Sequence, residues 1–254
     1  MPSPMPLRSL RALGALSATL ACAALGACAD VPSAPESFVR EAGGATWVAV
    51  VEPAGLPTAR TWLSALPGHA PEGEAARATL SEAARVRRTG AMEGFLALED
   101  RAAREAAAAL PRAPEARMVL SALAAADEWV DRASVRTAGG RFPELARAEL
   151  GVREAAARAR SSLAAGDTLA AVREVAGAAE VARAWAPVSV ALRVVRDAEG
   201  RIDATPNPSA GLVRARRLLR GAREGIAIGD HARALQRAMY ALQLIEQEEA
   251  TRRR

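Results

Sequence analysis

Apolar residues recur at spacings of three and four along most of this chain. Leu145, Ala148, Val152, Ala155, Ala159 and Leu163 mark one stripe over 143–165, the periodicity of a helix with one buried face. Leu212, Ala215, Leu219, Ala222 and Ile226 repeat it, as do Leu235, Ala238, Leu242 and Ile245. The full pattern predicts helices near 74–88, 91–110, 115–135, 143–165, 168–186, 188–198, 209–227 and 230–250. Breakers fall between them: Pro111 and Pro114, Gly139-Gly140, Pro187, and Pro206-Asn207-Pro208. Pro143 suits a first helical position, where its missing N–H costs nothing. Gly90, Gly166 and Gly229 separate amphipathic stretches, each able to take the left-handed cap that ends a helix. Asp167 and Asp230 come directly after two of them and can cap the next helix. Short loops favour antiparallel neighbours. The expected fold is therefore all-α, with antiparallel helical hairpins (about 143–186 and 209–250) forming a bundle or a short array. Residues 46–73 are ambiguous. Thr46-Trp47-Val48-Ala49-Val50-Val51 reads as a short strand or a buried helical turn. Pro53, Gly55, Pro57, Pro67 and Gly68 interrupt any regular element between there and residue 73.

The N-terminus departs from this amphipathic pattern. Arg8 and Arg11 precede Ala12 to Ala24, a run without a charge. That is the layout of a secretory signal, and it is short of the ~20 apolar residues a spanning helix needs. It ends in Leu25-Gly26-Ala27-Cys28, which resembles the lipobox of bacterial lipoproteins at every position. The resemblance implies acylation of the Cys28 thiol, cleavage before it and acylation of the new amine. Cys22 fits less well, because Thr19 stands where a Leu is expected. The expected organisation is a signal peptide over 1–27, a lipid-anchored flexible tether over 28–45 and an all-helical domain over 46–254. Pro32 and Pro35 keep the tether extended. Each buried methylene contributes ~0.8 kcal/mol, so three acyl chains would make the membrane a permanent partner. Ala29, where an Asp signals inner-membrane retention in that family, implies the outer membrane, facing the periplasm. One cysteine would remain in the mature chain, already thioether-linked, leaving packing as the source of stability.

Composition sharpens the helical reading. Half of the 254 residues are apolar but only 3% are aromatic, so the core must be built from Ala, Leu and Val. All 34 basic residues are Arg, as a GC-rich genome would produce. The net charge of +5 and a pI near 10.6 suggest a nucleic-acid binder at first sight. The excess is small, however, and falls to +3 once residues 1–27 are removed. Export, and the lack of aromatics among the arginines, argue against nucleic acid.

Shifting the chain by 63 residues aligns 149–183 with 212–246, with eight identities in 35 positions, four of them Ala. Gly166-Asp167 falls on Gly229-Asp230, with Ala159/Ala222 before and Ala171/Ala234 and Ala178/Ala241 after. This resembles tetratricopeptide repeats, in which small residues let two helices nest on either side of such a turn. The resemblance covers roughly 70 residues and implies a protein-binding surface. It departs from the family in its spacing, against the usual ~34, and in Leu218, Gly225 and Glu246 at the Trp, Tyr and closing Pro positions. A weaker third copy surrounds Gly90, with Phe95 where a small residue belongs.

No catalytic constellation, metal site or cofactor motif emerges. His69 lies in a Pro-Gly loop and His231 begins a helix, and no metal site is expected at either; no nucleophile elbow, phosphate loop or dinucleotide fingerprint occurs. Carboxylate pairs such as Glu99-Asp100, Asp127-Glu128 and Glu248-Glu249 sit among arginines at helical spacing, the pattern of a solvated face. One cluster stands out. Arg214, Arg216, Arg217, Arg220 and Arg223 crowd one helix, and the chain ends in Arg252-Arg253-Arg254. Arg214, Arg217, Arg220 and Arg223 form the candidate binding face, for anionic headgroups or an acidic partner. The expectation is a non-enzymatic envelope lipoprotein that binds a protein partner. The alternative is a structural envelope lipoprotein whose basic helix contacts anionic membrane or cell-wall polymer.

Overall fold

A computed structural model describes residues 37–38, 48–68, 70–110, 114–140, 142–205 and 209–253. Cys28, the signal peptide and His69 lie outside them. The chain divides into two compact units, Met1–Ala34 and Pro35–Arg254, and all described residues belong to the second.

Among its described residues that unit is all-α apart from one antiparallel pair of two-residue strands, β1 (Ser37–Phe38) and β2 (Val48–Ala49). β1 falls inside the stretch expected to be tether. Nine helices come after them among the described residues: α1 (Ala59–Leu63), α2 (Glu74–Arg88), α3 (Met92–Ala108), α4 (Ala116–Thr137), α5 (Pro143–Ala164), α6 (Thr168–Arg183), α7 (Pro187–Asp203), α8 (Ala210–Ile228) and α9 (His231–Arg252). Expected and observed boundaries agree closely except at α7, which runs five residues beyond 198. Ile202, 1% exposed, continues its apolar stripe and holds the last turn down. The ambiguous segment also has a physical explanation. α1 is only five residues long, but the Thr58 N–H donates to Thr61 Oγ1 at 3.0 Å and Trp62 is fully buried, so packing sustains what propensity would not.

The helices pack as antiparallel hairpins, α2–α3, α5–α6 and α8–α9, each with a further helix against it: α1 on α3, α4 on α5 and α6, α7 on α8 and α9. Gly90, Gly166 and Gly229 all carry positive φ, +78°, +81° and +85°. At the latter two, Asp167 N–H donates to Ser162 O (2.8 Å) and Asp230 N–H to Gly225 O (2.9 Å), the six-to-one bond of a Schellman cap. The capping aspartates behave as expected: the Asp167 carboxylate accepts from Ala170 N–H at 2.9 Å and that of Asp230 from Arg233 N–H at 3.2 Å. Ala91 replaces the aspartate at the α2–α3 turn and supplies no side-chain cap. The expected nesting pairs, Ala159/Ala222, Ala171/Ala234 and Ala178/Ala241, are all buried.

Two cores result. The first joins α4, α5 and α6 to Trp62, Leu66 and the C-terminal end of α3. The second joins α7, α8 and α9 to Met92 at the start of α3, with Phe95 and Leu96 packed on it. The chain from the end of β2 runs between them: Ala49, the last residue of β2, and Val51 belong to the first core and Val50 to the second. Successive side chains of a strand point oppositely, and alternate residues here divide the same way. Val51 N–H donates to the Trp185 carbonyl at 2.9 Å, and Trp185 packs against both cores. Along α3, Glu93 pairs with Arg196 of α7 (2.8 Å), while Asp100 and Arg104 pair with Arg183 (2.6 Å) and Glu180 (2.5 Å) of α6. Arg183 also donates to the Pro57 carbonyl at 2.9 Å.

Candidate functional site

Among the described residues, two of the concave regions that gather polar side chains bear on binding. The larger is an open cleft of about 840 Å³ between the α1 region and α4. Gly55, Pro57, Thr61 and Ser64 line one wall, and Pro114, Glu115, Arg117, Met118 and Ser121 the other. Glu115 and Arg117 pair with each other across its rim. The lining mixes hydroxyls, a thioether and one ion pair, a surface suited to hydrogen-bonding and packing against an extended chain.

The second is a groove of about 410 Å³ between α8 and α9, lined by Arg214, Arg217, Leu218, Arg220, Gly221, Glu224 and Arg237. Three of the four arginines predicted as a binding face meet here. Arg214, Arg217 and Arg220 are exposed and make no ion pair among the described residues. Arg223 is different. It faces α7, where Nε donates to Glu199 Oε1 at 2.7 Å and Nη2 to Oε2. The Glu199 carboxylate raises the Arg223 pKa further above its usual range. Arg223 is exposed but paired with a carboxylate on another helix, and so stands apart from the other three arginines of the expected face. Arg216 is likewise turned to Asp203, at 3.1 Å.

The residue that sequence reasoning missed is Arg237. It lies on α9, reaches across to α8 and donates Nη1 to the Gly221 carbonyl at 2.7 Å. A Cβ at Gly221 would come within 3.0 Å of that Nη1, so the glycine opens the space the guanidinium occupies. Only the pairing of α8 with α9 brings these positions together. The hairpin turns Gly166-Asp167 and Gly229-Asp230 keep a structural role, and His231 begins α9 next to the second of them.

Among the described residues, no group of three metal-ligating side chains converges, and no helix is long and apolar enough to cross a membrane. Of the carboxylates, Asp100 is held above its ordinary range by burial, offset in part by Arg183. Glu105 is held low by its hydrogen bond from Thr79 (2.6 Å) and by Arg101. Comparison with known proteins returns no matching family model, no matching curated protein and no matching solved structure.

Proposed function

We propose that this chain is a non-enzymatic lipoprotein of the cell envelope, a helical scaffold that is held at the outer membrane by acyl chains on Cys28 and binds a protein partner. The anchor is supported by the signal layout and by Leu25-Gly26-Ala27-Cys28. The observation that supports partner binding is the open cleft of about 840 Å³ beside α4, whose mixed polar and apolar lining suits a segment of another chain. A rigid array of short-looped hairpins presents it pre-formed, which lowers the entropy cost of association.

Two measurements test this. A palmitate analogue should label the wild type and leave Cys28→Ala unlabelled; an unlabelled wild type removes the anchor. A photo-crosslinking residue at Ser121, inside the cleft, should trap a discrete envelope protein in living cells, while the same residue at exposed Ser161 should not. Equal trapping at both positions, or none at either, removes the partner.

A second reading is favoured by one observation, the exposed arginines of α8 that make no ion pair among the described residues. In it the basic face touches anionic membrane or cell-wall polymer.

A further inference from the structure

The α5–α6 and α8–α9 hairpins correspond by a shift of 63 residues, and this internal comparison isolates the basic groove. Two of the eight identities are the arginines Arg153/Arg216 and Arg160/Arg223, and they do equivalent work. Arg160 pairs with Asp127 of α4 as Arg223 pairs with Glu199 of α7. Arg153, ion-paired to Glu149 on its own helix, also donates to Ser134 of α4, and Arg216 donates to Asp203 of α7. In both hairpins these arginines reach the preceding helix.

The groove is not shared. At the positions of Arg214, Arg217 and Arg220, the first hairpin has Gly151, Glu154 and Ala157. Where α8 has Gly221 and α9 has Arg237, it has Arg158 and Glu174, joined by an ion pair at 3.0 Å that crosses the two helices. One hairpin closes this place with opposite charges. The other removes both members of the pair, substitutes a glycine and a cation, and adds three arginines. Four guanidinium groups then line a space of about 410 Å³ with Glu224 as the one carboxylate among the lining residues. Like charges so placed repel one another, and a single carboxylate offsets only part of the repulsion.

From this we infer that the α8–α9 groove is a binding site for a phosphate-bearing anion, held by Arg214, Arg217 and Arg237. The guanidinium fork matches two phosphate oxygens at once. Arg237, fixed by its bond to Gly221, is the one oriented in advance; Arg214 and Arg217 close from α8. The phosphate belongs either to an anionic phospholipid headgroup or to a soluble phosphate ester. The inference deepens the second reading and rests on the same α8 face, but not on the lipid at Cys28.

The test uses the mature chain from residue 28 carrying Cys28→Ser, so that no acyl chain contributes. Binding is measured to phosphatidylglycerol vesicles by sedimentation and to glycerol phosphate by calorimetry, with phosphatidylcholine vesicles as the blank. Arg217→Gln and Arg237→Gln should each weaken binding about 5-fold or more, the effect of one arginine at an anionic surface. Arg216→Gln removes the same charge outside the groove and should change it by less than about two-fold. Because Arg237→Gln could loosen the hairpin, Arg214→Gln, which loses no hydrogen bond among the described residues, provides the same readout. Binding to both probes, or to vesicles alone, assigns the headgroup; binding to glycerol phosphate alone assigns a soluble ester. No binding to either probe overturns the site, and with it the membrane form of the second reading. Equal losses for Arg216→Gln and Arg217→Gln leave charge-driven contact standing and overturn the site.

Discussion

The helix triplets α4–α6 and α7–α9 are two versions of one design. They share the left-handed glycine turn, the aspartate cap, the buried alanines and two arginine contacts to the preceding helix. They differ in core volume and outer surface: Val172 in α6 corresponds to Leu235 in α9, and a crossed ion pair corresponds to an open basic groove. The difference separates two kinds of position. Turn and nesting positions are alike in the two triplets, whereas positions facing water differ in charge.

Truncating the larger core residue gives the largest expected effect. Leu235→Ala should cost about 2–5 kcal/mol and Val172→Ala less, since fewer methylenes are removed. Both should unfold in one urea transition, because α3 and Trp185 belong to both cores. Two resolved transitions would break the comparison, making the triplets independent domains. Next come the turns. Gly229→Ala and Gly166→Ala should each cost about 1–2 kcal/mol, the penalty of a left-handed L-residue. Gly151→Ala lies in the middle of α5 with open space around its Cα, and should instead stabilise by about 0.5–1 kcal/mol. Unequal costs at the two turns would mean that the caps are not equivalent. Asp167→Ala and Asp230→Ala should each cost about 1 kcal/mol in the same melts.

The exposed pairs come last. Arg160→Gln and Arg223→Gln should each cost under about 1 kcal/mol, as such pairs do in water. Part of the dependence on pH arises from carboxylates outside the repeated contacts. Glu249, held below its ordinary 4.5 by Arg201, and Glu105, held low by Thr79, have folded values lower than their unfolded ones. Their contribution is complete above pH 4.5 and is lost as the pH falls through the folded values. Asp100 acts in the opposite sense: burial raises its folded value, so its ionisation with rising pH detracts from stability. Asp100→Asn should therefore steepen the acid-side loss in thermal melts taken between about pH 3 and 5.

Helices and turns are legible in the sequence because their signals are local. A proline, a Gly-Asp step and an apolar stripe each act within a turn or two of themselves. Even at α7 the pattern misleads only where Glu199-Gly200 interrupts it and burial of Ile202 overrides the break. The groove is half legible. Arg214, Arg217 and Arg220 announce themselves by crowding, but Arg237 joins them only through the register of α8 on α9, sixteen residues beyond Gly221. Arg223 looks like its neighbours in the sequence because Glu199 lies on a different helix. The identities Arg153/Arg216 and Arg160/Arg223 carry no weight in an arginine-rich alignment; their meaning lies in the partners they reach.

The segment Ala49-Val50-Val51 has a mechanical consequence. A pull on the N-terminal side would first meet the short β1–β2 ladder. It would then meet a segment held on opposite sides by both cores, which would share the load between the halves instead of prying one from the other.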